Sequence, residues 1–343
     1  MYKIIYMIKR ILGMNYKEFF QDIGVMHRQS GKSRIALFFD VIWCGLRYGC
    51  GRADYRLFEF WRLSAKQRAT FLTRAKNNWI VRTYNQPGWR CVLEDKVQFN
   101  QFYHDLLGRK WIDLRTAALP EFSEFMQGLD AIIAKPLAKS GGTGIEKLHR
   151  ADYASDAELL AYLQSHDFGL AEEGLVQVPE LAEYNSYSVN TYRICTILID
   201  GTPHVLYFYV RVGSGHRVVD NLHSGGITCP VDPQTGRIKY PGYSAYLGER
   251  RTYTEHPETH HKFVGEQLPM TQEAIALAFT AARRLPQVAY VGWDIAITPN
   301  GPALIEGNPF PGHDLLQLPP HAPDGIGVLP EFREIIPDRK SVV

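Results

Sequence analysis

Cysteine is scarce and scattered in this chain. The five thiols, Cys44, Cys50, Cys91, Cys195 and Cys229, are odd in number and form no Cys-x-x-Cys spacing. That excludes a disulfide framework and a zinc ribbon, and it favours a reducing, cytoplasmic setting. No apolar run is long enough to cross a bilayer. The opening MYKIIYMIKRILGM is broken by Lys3, Lys9 and Arg10 and lacks a signal-peptide cleavage pattern. Strong net charge is also missing: the formal balance is +2. No internal repeat, low-complexity tract or nucleic-acid reader motif is evident, so no nucleic-acid partner is expected.

What is present suits a folded enzyme-sized protein. With 343 residues, 45% of them hydrophobic and 12% aromatic, the chain can bury a full core and hold two or three subdomains. Charge is unevenly spread. Residues 1–90 carry 17 Lys/Arg against 5 Asp/Glu, and the remainder carries 21 against 31. The basic part reads as helical: residues 35–46 form one buried or interfacial helix, and Ser64 with Gln67 forms a capping box opening another through Ala75. Such a layer either complements the acidic remainder or touches an anionic membrane surface, an acidic carrier or a nucleotide-sugar from the cytoplasmic side. Ser30-Gly31-Lys32-Ser33 has the ending of a phosphate-binding loop. No apolar strand leads into it and the preceding glycine is wrongly spaced, so it reads as a turn between helices.

The most informative stretch is residues 293–308, WDIAITPNGPALIEGN. It reads as two strands joined by a tight turn at Pro299-Asn300-Gly301-Pro302. A turn centred on Asn300 sets Asp294 opposite Glu306, and Asn308 shares the face of Glu306. Two carboxylates and an amide oxygen are hard donors suited to magnesium, with manganese as an alternative.

Upstream, residues 130–149 read DAIIAKPLAKSGGTGIEKLH. An apolar strand ends at Lys135, a point charge for a phosphate. The loop Ser140, Gly141, Gly142, Thr143, Gly144 can bring backbone N–H groups close to phosphate oxygens. A helix capped by Ser155 with Glu158 follows and stops near Gly169. Residues 170–178 then read as a strand with two acidic positions, Glu172 and Glu173. Lys96 opens a short helical pattern. Further on, Arg193 and Arg211 sit within apolar strands joined by an Asp200-Gly201 hairpin turn. Buried arginines need an anion, either a ligand or a structural carboxylate. Residues 220–226, DNLHSGG, form a glycine-flanked loop with Asn221 and His223. The segment HPETHH (256–261) reads as a polar loop between Pro241 and Pro269, a flap or an ordinary exposed loop.

These five segments, in this order, resemble the ATP-grasp superfamily, and the resemblance covers roughly residues 90–320. GRADYRLFEFWRLSAKQRATFLT (51–73), EDKVQF, SVNTYRI, DNLHSGG and GWDIA…LIEGN look more narrowly like the sugar-transfer-associated ATP-grasp family. The R…DNLHSGG stretch also resembles ATP-grasp enzymes that add glutamate to a protein. The resemblance implies an α+β fold, two α+β subdomains clasping ATP, with a mostly helical region ahead of them. The expected partition is 1–88 helical, 89–330 ATP-grasp (lid about 130–180, catalytic part about 181–330) and 331–343 a tail. It implies that Lys135 and Lys96 hold phosphates and that the 140–144 loop closes over them. Glu172 or Glu173 would meet the adenine amino group, backbone at Glu173, Gly174 and Leu175 would read the base edge, and Gln177 or Glu180 would approach the ribose. Asp294, Glu306 and Asn308 would hold magnesium. Arg193, Arg211, Asn221 and His223 would surround the acyl phosphate and incoming amine. The implied activity is ATP-dependent joining of a carboxylate and an amine, in a surface-polysaccharide or secondary-metabolite pathway. Two rivals keep the fold: a small-molecule kinase, and a non-catalytic nucleotide-binding scaffold.

Overall fold

The computed structural model describes residues 15–137, 144–215, 225–246 and 249–336. The chain divides into two compact units: residues through Trp79 together with those from His313 onward, and residues Ile80–Gly312. The division falls inside a helix, Arg74–Tyr84. The sequence reading sets the boundary at 88 and a tail only after 330. Here the residues from His313 already belong with the first unit.

The first unit is helical. Helix α1 (Tyr16–Ser30) is capped by the Asn15 side chain and ends on Gly31 at φ 69°; α2 (Arg34–Tyr48) is capped by Ser33. Gly31 takes the left-handed conformation that closes the first helix, so the Ser30–Ser33 segment is the interhelical turn expected. Phe19, Ile23 and Met26 of α1 and Leu37, Val41 and Cys44 of α2 share a core with Tyr55, Phe58, Phe60 and Phe71. The Ser64–Gln67 capping box forms, but its helix ends at Arg68 rather than Ala75. Burial overrides propensity there: Phe71 and Leu72 drop into the core. The Gln317 side-chain amide then takes up both backbone groups of Leu72, at 2.8 and 2.9 Å.

The second unit holds two antiparallel sheets. Strands β1 (Trp111–Asp113), β2 (Ala131–Pro136), β3 (Glu146–His149) and β4 (Phe168–Glu173) pair in the order β1-β4-β2-β3. Ile132 and Ala134 of β2 pack with Phe122, Leu159 and Leu163 from helices Leu119–Phe125 and Asp156–Ser165. The alternate residues Ile133 and Lys135 therefore point the other way. Ser155 caps its helix as expected, accepting from Glu158 N, but the helix ends at Ser165, and Gly169 lies inside β4.

The larger sheet has β5 (Thr191–Ile199), β6 (Thr202–Val212), β7 (Ile227–Pro230), β8 (Gly242–Tyr246), β9 (Glu249–Tyr253), β10 (Tyr290–Thr298) and β11 (Gly301–Asn308). Their order is β11-β10-β5-β6-β7-β8-β9. Asp200 and Gly201 both have positive φ (49° and 80°), the conformation a two-residue hairpin turn requires. One face of the sheet, with Tyr192, Ile194, Phe208, Val210, Trp293 and Ile295, packs with Ala274, Ala278, Ala281 and Ala282 of helix Thr271–Arg284. That burial fixes which side chains point to the opposite face.

The stretch between Pro241 and Pro269 is more ordered than the loop expected. It contains the β8–β9 hairpin, and His256 is fully buried. His256 Nε2 lies 2.9 Å from Gly213 O, while Nδ1 accepts from the N–H groups of Glu258 and Thr259. The histidine is a strut holding the end of β6, because two turn N–H groups and one carbonyl would otherwise be left unpaired.

Candidate active site

A cavity of about 1170 Å³ is lined by residues of both sheets of the second unit. Its floor is the open face of β5, β6, β10 and β11. Cross-strand pairs share a face, and the register sets Arg193 opposite Asp294, Asp294 opposite Glu306, and Thr191 opposite both Arg211 and Ala296. Asn308 is two residues beyond Glu306 and pairs with Gly292.

Asp294 is the electrostatic centre of this floor. Arg193 grips it in a fork, Nε on Oδ1 and a terminal nitrogen 2.8 Å from Oδ2. Arg211 reaches Oδ2 at 2.7 Å and donates through Nε to Thr191 Oγ1 at 2.9 Å. Burial alone would raise the Asp294 pKa, but the two guanidiniums outweigh it and hold the carboxyl well below its usual range. Glu306 behaves oppositely. Crowding by the cavity walls, then the neighbouring Asp294 charge, pushes its carboxyl up to about 7, although 56% of the side chain remains open to the cleft. Asn308 Oδ1 accepts from Phe310 N at 2.8 Å. Glu306 and Asn308 thus present hard oxygens to the cavity, while Asp294 shares its oxygens with two arginines. Among the described residues no three His, Cys, Asp or Glu side chains gather as a metal cluster.

The opposing wall is basic. Lys135 lies 2.5 Å from Glu172, which is nearly fully buried. Glu172 also accepts from Arg109 at 2.9 Å and Asn100 at 2.8 Å. Burial opposes ionisation of Glu172, yet Arg109 and Lys135 keep its pKa well below the ordinary value. Lys96 donates to Pro136 O and Leu137 O at 2.9 and 3.2 Å. Its pKa is lowered by burial, with Lys135 adding like-charge repulsion against the attraction of Glu306. An anion between two such amines would relieve that repulsion.

The remaining expected contacts fall in different places. Glu173, Gly174, Leu175 and Gln177 line the cavity. Glu173 accepts from Lys110 N at 3.0 Å. The Gln177 amide is fully engaged: it donates to Asn185 O and Ser188 O and accepts from Asn190. It shapes the 185–190 turn, so a ribose contact through this side chain would cost bonds already made. Glu180 is exposed and stands outside the cavity lining. Glu172 would have to give up one of three donors to meet a base. Gly144, at φ 76°, ends the glycine loop. Ser140, Gly141, Gly142, Thr143, Asn221 and His223 lie outside the described residues.

Three participants were not singled out in the sequence. Arg109 is 2% exposed at its side chain and bonds Leu304 O at 2.7 Å as well as Glu172, tying the basic wall to β11. Asn100 completes the Glu172 shell. Thr191 orients Arg211. Alternation along β5, Thr191 then Arg193, carried a signal for the last; Arg109, in a loop after Gly108, had none.

Residues 75–323 match the family model described as sugar-transfer associated ATP-grasp. Among solved structures the chain is similar to D-alanyl-alanine synthetase A from Vibrio cholerae O1 biovar eltor, at 12% identity and TM-score 0.42 over 74% of this chain and 64% of that one. It is also similar to the ATP-grasp ligase PsnB with minimal precursor, at 16% and 0.41 over 72% and 62%. A third is D-alanine–D-alanine ligase from Bacillus anthracis, at 13% and 0.41 over 76% and 73%. The chain spans just under two thirds of the length of the first two. No curated protein matches it.

Proposed function

The chain belongs to the sugar-transfer associated ATP-grasp family, and from that premise we propose that it is an ATP- and magnesium-dependent ligase joining a carboxylate to an amine. The observation that carries this reading is the pairing of a basic wall, Lys96 and Lys135, with a floor on which Arg193 and Arg211 converge on Asp294 beside Glu306 and Asn308. The two lysines are suited to phosphate oxygens, and Glu172 with Arg109 sets the position of Lys135. Backbone groups of Glu173–Leu175, which line the cavity, are suited to a base edge.

The carboxylate substrate would be oriented by Arg211 and Arg193, whose guanidiniums are aimed at an anion and stabilise charge as an acyl phosphate forms and collapses. An amine then attacks the acyl carbon, the phosphate leaves, and an amide remains. Glu306 and Asn308 present hard oxygens that fit a divalent cation, and Asp294 would join them by giving up part of its arginine contacts; the cation, when bound, would neutralise charge on the transferring phosphoryl group. Asn221 and His223 are proposed to flank the incoming amine, on the resemblance alone. A role in a surface-polysaccharide or secondary-metabolite pathway likewise rests on the family's description.

The test is product analysis. The full chain is incubated with ATP, magnesium and panels of carboxylic acids and amines, and products are read by mass spectrometry with phosphate release. Amide plus ADP plus free phosphate supports the reading, as does a hydroxamate when hydroxylamine replaces the amine. A stable phosphoester would make the protein a kinase. Tight nucleotide binding without turnover across the panels would leave the scaffold reading in its place.

A further inference from the structure

The helical unit carries a surface that neither the cavity nor the ligase reading uses. Helix α2 buries Leu37, Val41 and Cys44 on one side. Its other side is also apolar: Ile35, Phe39, Trp43 and Leu46 are 73%, 64%, 56% and 47% exposed. Their spacing of four, four and three residues puts them in one stripe. The stripe continues onto α1. Phe20, 59% exposed, stacks on Phe38 at 6.3 Å, and Phe38 meets Phe39 edge-on at 5.3 Å. Exposed large apolar side chains are ordinary singly, but a contiguous patch marks a contact surface.

Charge around the patch is one-sided. The carboxylates of the two helices are consumed internally: Glu18 and Asp22 pair with Arg52, Asp22 also with Arg56, and Asp40 with Arg68. Exposed Lys17, Arg28, Arg34 and Arg47 lie on the same two helices. Among the described residues none of these four pairs with a carboxylate. An aromatic and aliphatic stripe, a tryptophan within it and a basic surround match the interface of an anionic bilayer. Helix α2 has 15 residues, about 22 Å at 1.5 Å per residue, short of a hydrocarbon core of about 30 Å. It would lie along the surface rather than cross it.

We propose that the α1–α2 face docks the protein on an anionic membrane surface, with Phe20, Ile35, Phe39, Trp43 and Leu46 entering the headgroup region and Lys17, Arg28, Arg34 and Arg47 meeting lipid phosphates. This inference is independent of the ligase reading. A bilayer suits this face better than an acidic protein, because large apolar side chains stand exposed along most of α2 and are flanked by basic ones.

The test is sedimentation of the full chain with two kinds of vesicle, neutral phosphatidylcholine and phosphatidylcholine containing phosphatidylglycerol. Wild type is expected to partition onto the anionic vesicles, with the preference shrinking as salt rises. Phe39→Ser with Trp43→Ser should lower partitioning about tenfold or more. Arg34→Gln or Arg47→Gln should each lower it about fivefold on anionic vesicles only. Folding is checked by circular dichroism and by ATP binding, which all these variants should retain. Absence of binding to anionic vesicles at low salt overturns the proposal, and so does binding that these substitutions leave unchanged. A self-association lost in Trp43→Ser, with no vesicle binding, would assign the face to a second copy instead.

Discussion

Asp294 and Glu306 face each other because Ile305 is a bulge. The β10–β11 turn pairs Thr298 with Gly301, and that ladder, continued without interruption, would set Asp294 opposite Ile305. The register shifts between Asp294 and Ile295, which moves Glu306 into place. A ladder lacking the shift would turn Glu306 toward the Trp293 side, into the core. A one-residue irregularity therefore decides whether this floor has one carboxylate or two.

The two carboxylates should part company on mutation. Asp294 is the shared carboxylate partner of two nearly buried guanidiniums. Asp294→Ala leaves both uncompensated and should cost about 3–5 kcal/mol of stability, the usual result of removing one side of a buried pair. Glu306 is half open and lies against a like charge, so Glu306→Ala should leave stability nearly unchanged while abolishing magnesium-dependent turnover. Chemical denaturation of both variants, beside turnover, checks the split. Equal stability losses would show that Glu306 is structural.

Lys135 and Glu172 make a comparable contrast. Lys135→Ala removes the proposed charge-assisted phosphate contact and should weaken ATP binding by about 1.5–3 kcal/mol, with Glu172 still held by Arg109 and Asn100. Glu172→Ala should weaken ATP binding and also destabilise the fold, because Arg109 is nearly fully buried. Calorimetric titration with an ATP analogue, paired with thermal unfolding, separates the two. Unchanged affinity in Lys135→Ala would leave that lysine without a phosphate role.

Local signals carried β2, β4, β5, β6, β10 and β11, the two hairpin turns that join them and the residues that line them, but not β1 or β7–β9. Period-two alternation put Arg193 and Arg211 in apolar strands, and the Asn-Gly turn announced β10 and β11. The register came out as expected although the turn sits one position earlier, since the bulge at Ile305 compensates; nothing local encodes that shift. The same limit explains the other gaps. Arg109 acts through Glu172 and Leu304, 63 and 195 residues away. The helix opened by Ser64 stops early because Phe71 and Leu72 are worth more buried than helical. His256 looks like a loop histidine until Gly213 is brought to it.

The helical unit also contains a lysine whose charge works against folding. Lys76 donates to Phe71 O at 2.8 Å. Burial, with Arg333 nearby, pushes its pKa down to about 8. A depressed lysine binds protons less readily folded than unfolded. The unfolded chain holds the extra proton between about pH 8 and 10.5, so this group makes stability rise with pH across that window. Below it the full penalty applies, at most about 3 kcal/mol. Lys76→Met should therefore be more stable than wild type near pH 7, and the advantage should fade by pH 10. Urea denaturation at both pH values measures it; a gap that does not narrow would contradict the assignment.

Arg211 provides the sharpest test of the proposed acyl-transfer role of this floor. Its guanidinium spans two anchors, Thr191 Oγ1 through Nε and Asp294 Oδ2 through a terminal nitrogen. That geometry orients the planar fork, which an ammonium cannot reproduce. Arg211→Lys should keep the Asp294 charge balanced and the fold intact, yet lower kcat by about 100-fold, the scale of losing one oriented donor to a developing anion. ATP affinity should move little, because the lysines of the opposite wall are the proposed phosphate contacts. Thr191→Val removes the Nε anchor and leaves the Asp294 contact of Arg211 in place. It should lower kcat more modestly, with ATP affinity again unchanged, and add nothing in an Arg211→Lys background, where the anchored group is already gone. Steady-state kinetics on the four proteins of this cycle, with ATP affinity measured separately, gives the answer. Additive losses would mean that Thr191 acts on its own, and full turnover in Arg211→Lys would remove the arginine from the reacting end of the cleft.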